Sequence, residues 1–160
     1  DLRAAEKSLQ LYHQLSGRAG RVGKPATVYF QTYSKNTKMI TEITNSNPDI
    51  FLDKELEIRK KNKLPPFERF ISLILTGENE QKLNNEALNF KTFLEDKISA
   101  KVLGPVSAQI FRIKRKFRVR LLIRGPKSLK LQNSISLLIS RYKFSNGIKL
   151  TVDVDPINFN

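Results

Sequence analysis

The sequence predicts an α+β protein whose larger part is a ferredoxin-like βαββαβ sandwich, preceded by a helix and a strand of α/β type. Three observations carry this. Apolar residues alternate with a period of two through Phe70–Leu75, Phe117–Ile123 and Leu150–Val154. They recur at helical spacing through Leu83, Ala87, Phe90, Leu94 and Ile98, and again through Leu131, Ile135, Leu138 and Tyr142. With one further strand between them, these segments run strand, helix, strand, strand, helix, strand, an order that packs two helices on one side of a four-stranded sheet and leaves the other side free.

The elements follow in chain order. Ala5, Leu9 and Tyr12, flanked by Leu11 and Leu15, predict a helix over 3–16, ended by the glycine-rich stretch from Gly17 to Gly23. After Pro25, the run Thr27-Val28-Tyr29-Phe30-Gln31-Thr32-Tyr33 is β-branched and aromatic and predicts a strand. Residues 34–63 read as a helical linker, with a short helix around Met39, Ile40 and Ile43, a turn from Asn45 to Pro48, and a helix from Phe51 to Lys63. Leu64-Pro65-Pro66-Phe67 is a rigid elbow, because two prolines fix φ and remove two donors, and a domain boundary is placed there. Beyond it come the strand with Ile71, Leu73 and Leu75 on one face, a helix, a strand through Gln109–Lys114 and a strand through Phe117–Ile123. A second helix and a last strand with Leu150, Val152 and Val154 on one face complete the order.

Composition excludes several functions. The 160 residues hold no Cys and one His, which removes disulfides, thiol nucleophiles, cysteine zinc sites and multi-histidine metal centres. No apolar run is long enough to cross a bilayer and the first residues have no secretory pattern, so neither membrane insertion nor secretion is expected. Twenty-nine basic against 15 acidic residues give a net charge of +14, and residues 101–160 hold 13 basic and 2 acidic residues, a net of +11. Such a segment calls for a polyanionic partner.

The densest basic stretch is Phe111-Arg112-Ile113-Lys114-Arg115-Lys116-Phe117-Arg118-Val119-Arg120. By the strand period, Arg118 and Arg120 face away from Val119, Leu121 and Ile123. With Arg112, Lys114, Arg115 and Lys116 they are the candidate nucleic-acid contacts, and Phe111 or Phe117 either stacks on a base or lies in the core. Asp153 and Asp155 read as ion-pair partners rather than a metal site, and His13 as a helix surface residue.

Gln14-Leu15-Ser16-Gly17-Arg18-Ala19-Gly20-Arg21 resembles motif VI, Q-x-x-G-R-x-G-R, of superfamily 2 helicases. Around it, Asp1-Leu2-Arg3-Ala4-Ala5-Glu6, Lys24-Pro25, Gln31-Thr32-Tyr33, Leu64-Pro65-Pro66-Phe67, Val102-Leu103-Gly104-Pro105 and Asp153-Val154-Asp155-Pro156 are similar to the carboxy-terminal part of the primosomal protein N-prime, or PriA, family of replication-restart helicases. The resemblance implies that residues 1–33 end the second RecA-like helicase lobe, 34–63 link, and 64–160 form a ferredoxin-like DNA- and protein-binding domain. It implies an ATP- and magnesium-dependent 3′-to-5′ DNA helicase acting at stalled forks, in which Gln14, Gly17, Arg18, Gly20 and Arg21 meet ATP. Arg21 would be the arginine finger and Arg18 a second γ-phosphate contact. A guanidinium suits that task because it is permanently charged and presents a planar donor fork.

The same resemblance implies zinc sites, a phosphate loop and metal-binding acids upstream, none of which is in these 160 residues, so the fragment alone is expected to be inactive. Implied partners are branched or forked DNA, single-stranded DNA-binding protein and primosome proteins, in a bacterial cytoplasm near the nucleoid. The competing reading is a noncatalytic, ribosomal-like nucleic-acid-binding module, which leaves Gln14–Arg21 unexplained. A scaffold for an acidic protein is a third.

Overall fold

The chain divides between Lys61 and Asn62 into two compact units. The computed structural model describes residues 3–19, 27–29, 31, 33, 38–45 and 47–157.

The first unit contains helices α1 (Ala4–Ala19), α2 (Lys38–Asn45) and α3 (Pro48–Lys61). Leu9, Ile43 and Phe51, one from each helix, are buried together, with Ala5 and Tyr12 packed against them. Asn47 starts α3 by accepting the Asp49 N–H at 3.0 Å, and Pro48 sits in the first helical position, where a missing donor costs nothing. Arg59 is buried and takes two carboxylates, Glu6 of α1 at 2.8 Å and Glu55 one turn back at 3.1 Å, while Arg3 bonds Glu6 at 2.9 Å. A guanidinium withdrawn from water needs this pairing, since removing one partner of such a group costs about 3–5 kcal/mol.

Two expectations fail here. Helix α1 does not stop before Gly17 but runs through it to Ala19, so Arg18 lies in its last turn rather than on a loop. Nothing stands within 4 Å of where a Gly17 Cβ would be, and one glycine costs a helix only about 1 kcal/mol, which neighbouring hydrogen bonds absorb. The expected strand over 27–33 is absent from Thr27–Tyr29, Gln31 and Tyr33, which are neither helix nor strand; Phe30 and Thr32 lie outside the described residues. Extended backbone becomes a strand only when another strand takes its N–H and C=O groups, and none in this unit does so among the described residues.

The second unit has the order β1 (Glu68–Gly77), α4 (Glu80–Glu95), β2 (Lys101–Ile113), β3 (Lys116–Pro126), α5 (Leu129–Arg141), β4 (Lys149–Val154). Its four strands are antiparallel in the spatial order β2-β3-β1-β4, the ferredoxin-like arrangement. Ile71, Leu73 and Leu75 of β1 stand opposite Ile123, Leu121 and Val119 of β3. Together with Leu83, Ala87, Phe90 and Leu94 of α4 and Ile135 and Leu138 of α5 they form the core. Asn79 and Ser128 cap the two helices through the N–H groups of Lys82 and Leu131, at 2.9 and 3.2 Å.

Several details depart from expectation. Strand β2 begins at Lys101, eight residues before Gln109, because Gly104-Pro105 is taken up as an irregularity between Leu103 and Val106 rather than ending the strand. Gly104 has φ +100, and a Cβ there would lie 2.7 Å from the Arg120 carbonyl oxygen, so only glycine fits. Ile98 follows the end of α4, and Tyr142 is the residue that closes α5. Val152, on the edge strand, stays 43% exposed, so β4 contributes only Leu150 and Val154 to the apolar layer. The sheet face expected to be free is not bare: Phe70, Ser72 and Ile74 of β1 are buried, flanked in register by Arg124, Leu122 and Arg120 of β3.

Beside the core, the buried Glu86 accepts from Ser145 Oγ at 2.5 Å. Burial, then a hydrogen bond to Glu86 and the charge of that carboxylate, push the Tyr142 hydroxyl from 10.0 up to about 12. The folded state therefore holds the phenol proton after the unfolded chain has lost it, so this contribution is full below pH 10.0 and is lost as the pH rises to about 12. Glu86→Gln should move the Tyr142 absorbance titration back toward lower pH; an unmoved titration would show that Glu86 has no part in the shift. Gly104→Ala should lower the unfolding free energy by about 1–3 kcal/mol in a denaturant titration, and a neutral result would contradict the close approach to Arg120.

Candidate nucleic-acid interface

The β2–β3 hairpin closes through the two residues Lys114 and Arg115, between the paired Ile113 and Lys116. Both sit in the left-handed region, at φ 49 and φ 66. That is the type I′ turn, whose twist matches the strands and whose usual residues are Asn and Gly. Here two long cationic side chains occupy it, each at a conformational cost of about 1–2 kcal/mol. Both are exposed.

From the tip, β3 returns with a period of two. Val119, Leu121 and Ile123 enter the core, while Arg118 and Arg120 stand half-buried on the opposite face, beside Thr76 and Ile74 of β1. Arg124 continues the same face, its guanidinium bonded to Glu68 at 2.8 Å and to the Asn62 carbonyl at 2.7 Å. Lys116 lies 3.8 Å from Glu78, an exposed pair of little energetic weight.

Phe117 falls on the core side of β3 and packs against the apolar layer, with the Arg112 guanidinium 5.1 Å from its ring centre. This removes the expectation that Phe117 stacks on a base, and it fixes Arg112 at the side of the hairpin by a cation–π contact worth about 0.5–1 kcal/mol. The side chain of Phe111 lies outside the described residues. Four predicted cations, Lys114, Arg115, Arg118 and Arg120, thus occupy the tip and the outer face, with Lys116 beside them and Arg112 turned toward the ring. Arg124 was missed as a member of this face, although the period of two from Arg118 and Arg120 reaches it.

Of the two acids, Asp155 behaves as an ion-pair partner. Asp155 bonds Arg69 at 3.2 Å and accepts the Phe70 N–H, and Asp153 stands opposite Ser72 on the outer face. Strand β4 ends at Val154, and Asp155 follows it at φ 53.

In the first unit, Gln14, Gly17 and Arg18 lie exposed along α1, and the basic Arg18 sits at the negative end of the helix dipole. Gly20 and Arg21 lie outside the described residues. His13 is exposed, edge-on to the Tyr12 ring at 5.3 Å. Among the described residues no three His, Cys, Asp or Glu side chains gather to hold a metal ion, and no helix is long and apolar enough to cross a membrane.

An antiparallel ferredoxin-like domain with a cationic outer face and a charged hairpin, preceded by a helical unit, defines the class. Residues 60–157 match the family described as primosomal protein N C-terminal domain. The chain is 36% identical over 159 residues to the replication restart protein PriA of Rickettsia felis, covering 99% of this chain and 24% of that protein. It is 31% identical to the replication restart protein PriA of Synechocystis, covering 100% of this chain and 19% of the relative, and 29% identical to that of Bacillus subtilis, covering 98% and 20%. The chain belongs to the PriA family, and it spans about a quarter of the length of these relatives or less.

The turn permits a test that separates stability from binding. Lys114→Asn with Arg115→Gly keeps a I′ turn, so unfolding should become harder by about 1 kcal/mol while affinity for DNA falls. A rise in stability with unchanged affinity would remove the tip from the interface.

Proposed function

We propose that this chain is the carboxy-terminal part of an ATP-dependent 3′-to-5′ DNA helicase that acts at stalled replication forks and promotes primosome assembly. Its second unit is the nucleic-acid-binding module. The observation that carries the reading is the placement of Arg118 and Arg120 opposite the core on one strand of a hairpin tipped by Lys114 and Arg115. Cations on alternate residues of an extended strand lie about 7 Å apart, which suits successive phosphates of a nucleic-acid backbone and reads no base. Membership of the PriA family supports replication restart as the setting.

In this reading, residues 1–33 complete a RecA-like lobe and residues 34–63 connect it to the second unit. ATP and magnesium bind largely in the preceding polypeptide, and zinc lies there too. Gln14, Gly17, Arg18, Gly20 and Arg21 approach the nucleotide. Arg21 and Arg18 would place permanent positive charge where negative charge develops on the γ-phosphate oxygens, which lowers the barrier without any proton transfer from this chain. The 160 residues hold no phosphate loop and do not turn over ATP alone. The partners are forked DNA, single-stranded DNA-binding protein and primosome proteins, in the cytoplasm.

Two experiments test the halves separately. Arg118→Glu with Arg120→Glu should weaken binding of a labelled DNA fork and reduce the slope of log affinity against log salt by at least about 1.8. Retained affinity would move the interface elsewhere. In the full-length helicase, Arg21→Ala should lower ATP turnover by about 10³-fold or more while leaving DNA binding in place, and near-normal turnover would refute its role as a finger.

A further inference from the structure

We propose a second phosphate site on the second unit, a notch in which Lys82, Lys116 and Lys149 converge on one backbone phosphate of bound nucleic acid. The proposal rests on the reading of this unit as a nucleic-acid-binding module and extends its contact surface to the end of the sheet where β3 begins.

The notch is a cavity of about 280 Å³ whose lining includes the three lysines, Glu78, Asn146 and Gly147. Each lysine comes from a different element: Lys82 from the first turn of α4, Lys116 from the first residue of β3, and Lys149 from the first residue of β4. Nothing in the sequence brings positions 82, 116 and 149 together; the sheet order and the start of α4 beside it do. Lys82 is held at the wall by donating its ammonium to the Asn146 carbonyl at 3.0 Å. The one carboxylate present, Glu78, is 3.8 Å from Lys116 and its side chain is 79% exposed, so it offsets little of the charge.

Like charges gathered from three elements repel one another. The arrangement contributes nothing to the core, since the apolar layer lies on the other side of Gly77 and Ile148. An anion turns the repulsion into binding energy. The opening suits one: Gly147 stands at φ +87 with nothing within 4 Å of where its side chain would be, so no group roofs that rim.

The notch is also continuous with the face already described. Lys149 stands opposite Thr76, and Thr76 stands opposite Arg118, so the three form one row across β4, β1 and β3 on the outer face. Adjacent strands are about 4.8 Å apart, which sets Lys149 about 10 Å from Arg118 in the backbone. Lys116 belongs to both, being the first residue after the Lys114-Arg115 turn. A phosphate backbone crossing from the hairpin tip past Arg118 would therefore reach the notch without leaving positive surface.

The test uses the whole 160-residue chain, a fluorescein-labelled DNA fork and anisotropy across a salt series. Lys82→Gln with Lys149→Gln should weaken binding several-fold to tenfold and reduce the salt slope by up to about 0.7–0.9, the release expected from one phosphate, with the thermal midpoint unchanged or raised. Lys130→Gln with Lys143→Gln, exposed positions with the same change in net charge, should leave both nearly unaltered. Equal losses from the two pairs would mean that only net charge matters and would overturn the notch. No loss from Lys82 and Lys149, while Arg118→Glu with Arg120→Glu still weakens binding, would also overturn it and leave the interface standing. If the arginine pair has no effect either, the nucleic-acid reading of the unit fails with it. Inorganic phosphate at matched ionic strength should compete with DNA no better than chloride. Phosphate-specific competition that vanishes in the Lys82/Lys149 variant would mark a small-anion site and overturn the backbone assignment.

Discussion

The antiparallel register of β1 against β3 is the constraint on which the second unit depends. Ten pairs run without interruption from Glu68 opposite Pro126 to Gly77 opposite Phe117. Side chains alternate across a strand, so setting Leu73 against Leu121 on the helix side also sets Ile74 against Arg120 and Thr76 against Arg118 on the other. A slip of one residue would bury arginines under α4 and expose leucines. The apolar core and the cationic face are thus two consequences of one pairing, and burial of the first holds the second in place.

The same register aims the hairpin. Strand β3 can turn back on β2 through only two residues, and a two-residue connection between twisted strands demands positive φ at both. Lys114 and Arg115 accept that strain where Asn and Gly would not suffer it, and three lysines crowd the neighbouring notch against one exposed carboxylate. At the Asn79 and Ser128 caps and at Gly104 local preference and global fold agree. At the hairpin tip they disagree, and positive charge collects there, as expected where local stability yields to a binding role.

The strand and helix order of the second unit was legible because each element buries one face, and one face leaves a period of two or of 3.6 in the sequence. Arg118 and Arg120 were legible for that reason too. The start of β2 was not, because Gly104-Pro105 looks like a break unless the Arg120 carbonyl that needs the space is known. Lys82 and Lys149 left no signal, since they meet only through the packing of α4 beside the ordered sheet. Phe117 carried an ambiguous signal, sitting between arginines in sequence yet on the core side of the strand. In the first unit, helix spacing foretold α1, but its passage through Gly17 and the want of a strand at Thr27–Tyr29 depend on hydrogen-bond partners that residue types do not announce. The buried Arg59, paired with Glu6 and Glu55, looked like one more charge on a polar helix.

Amide chemical-shift mapping of the isotopically labelled chain with a DNA fork would show whether the β3 face and the hairpin tip meet the nucleic acid, because it reads every strand at once without altering a residue. Shifts should concentrate at Lys114–Arg120, Thr76 and Lys149, with the exposed side of α5 around Asn133 and Leu137 unmoved. Shifts centred on α4 and α5, with β3 silent, would contradict that contact.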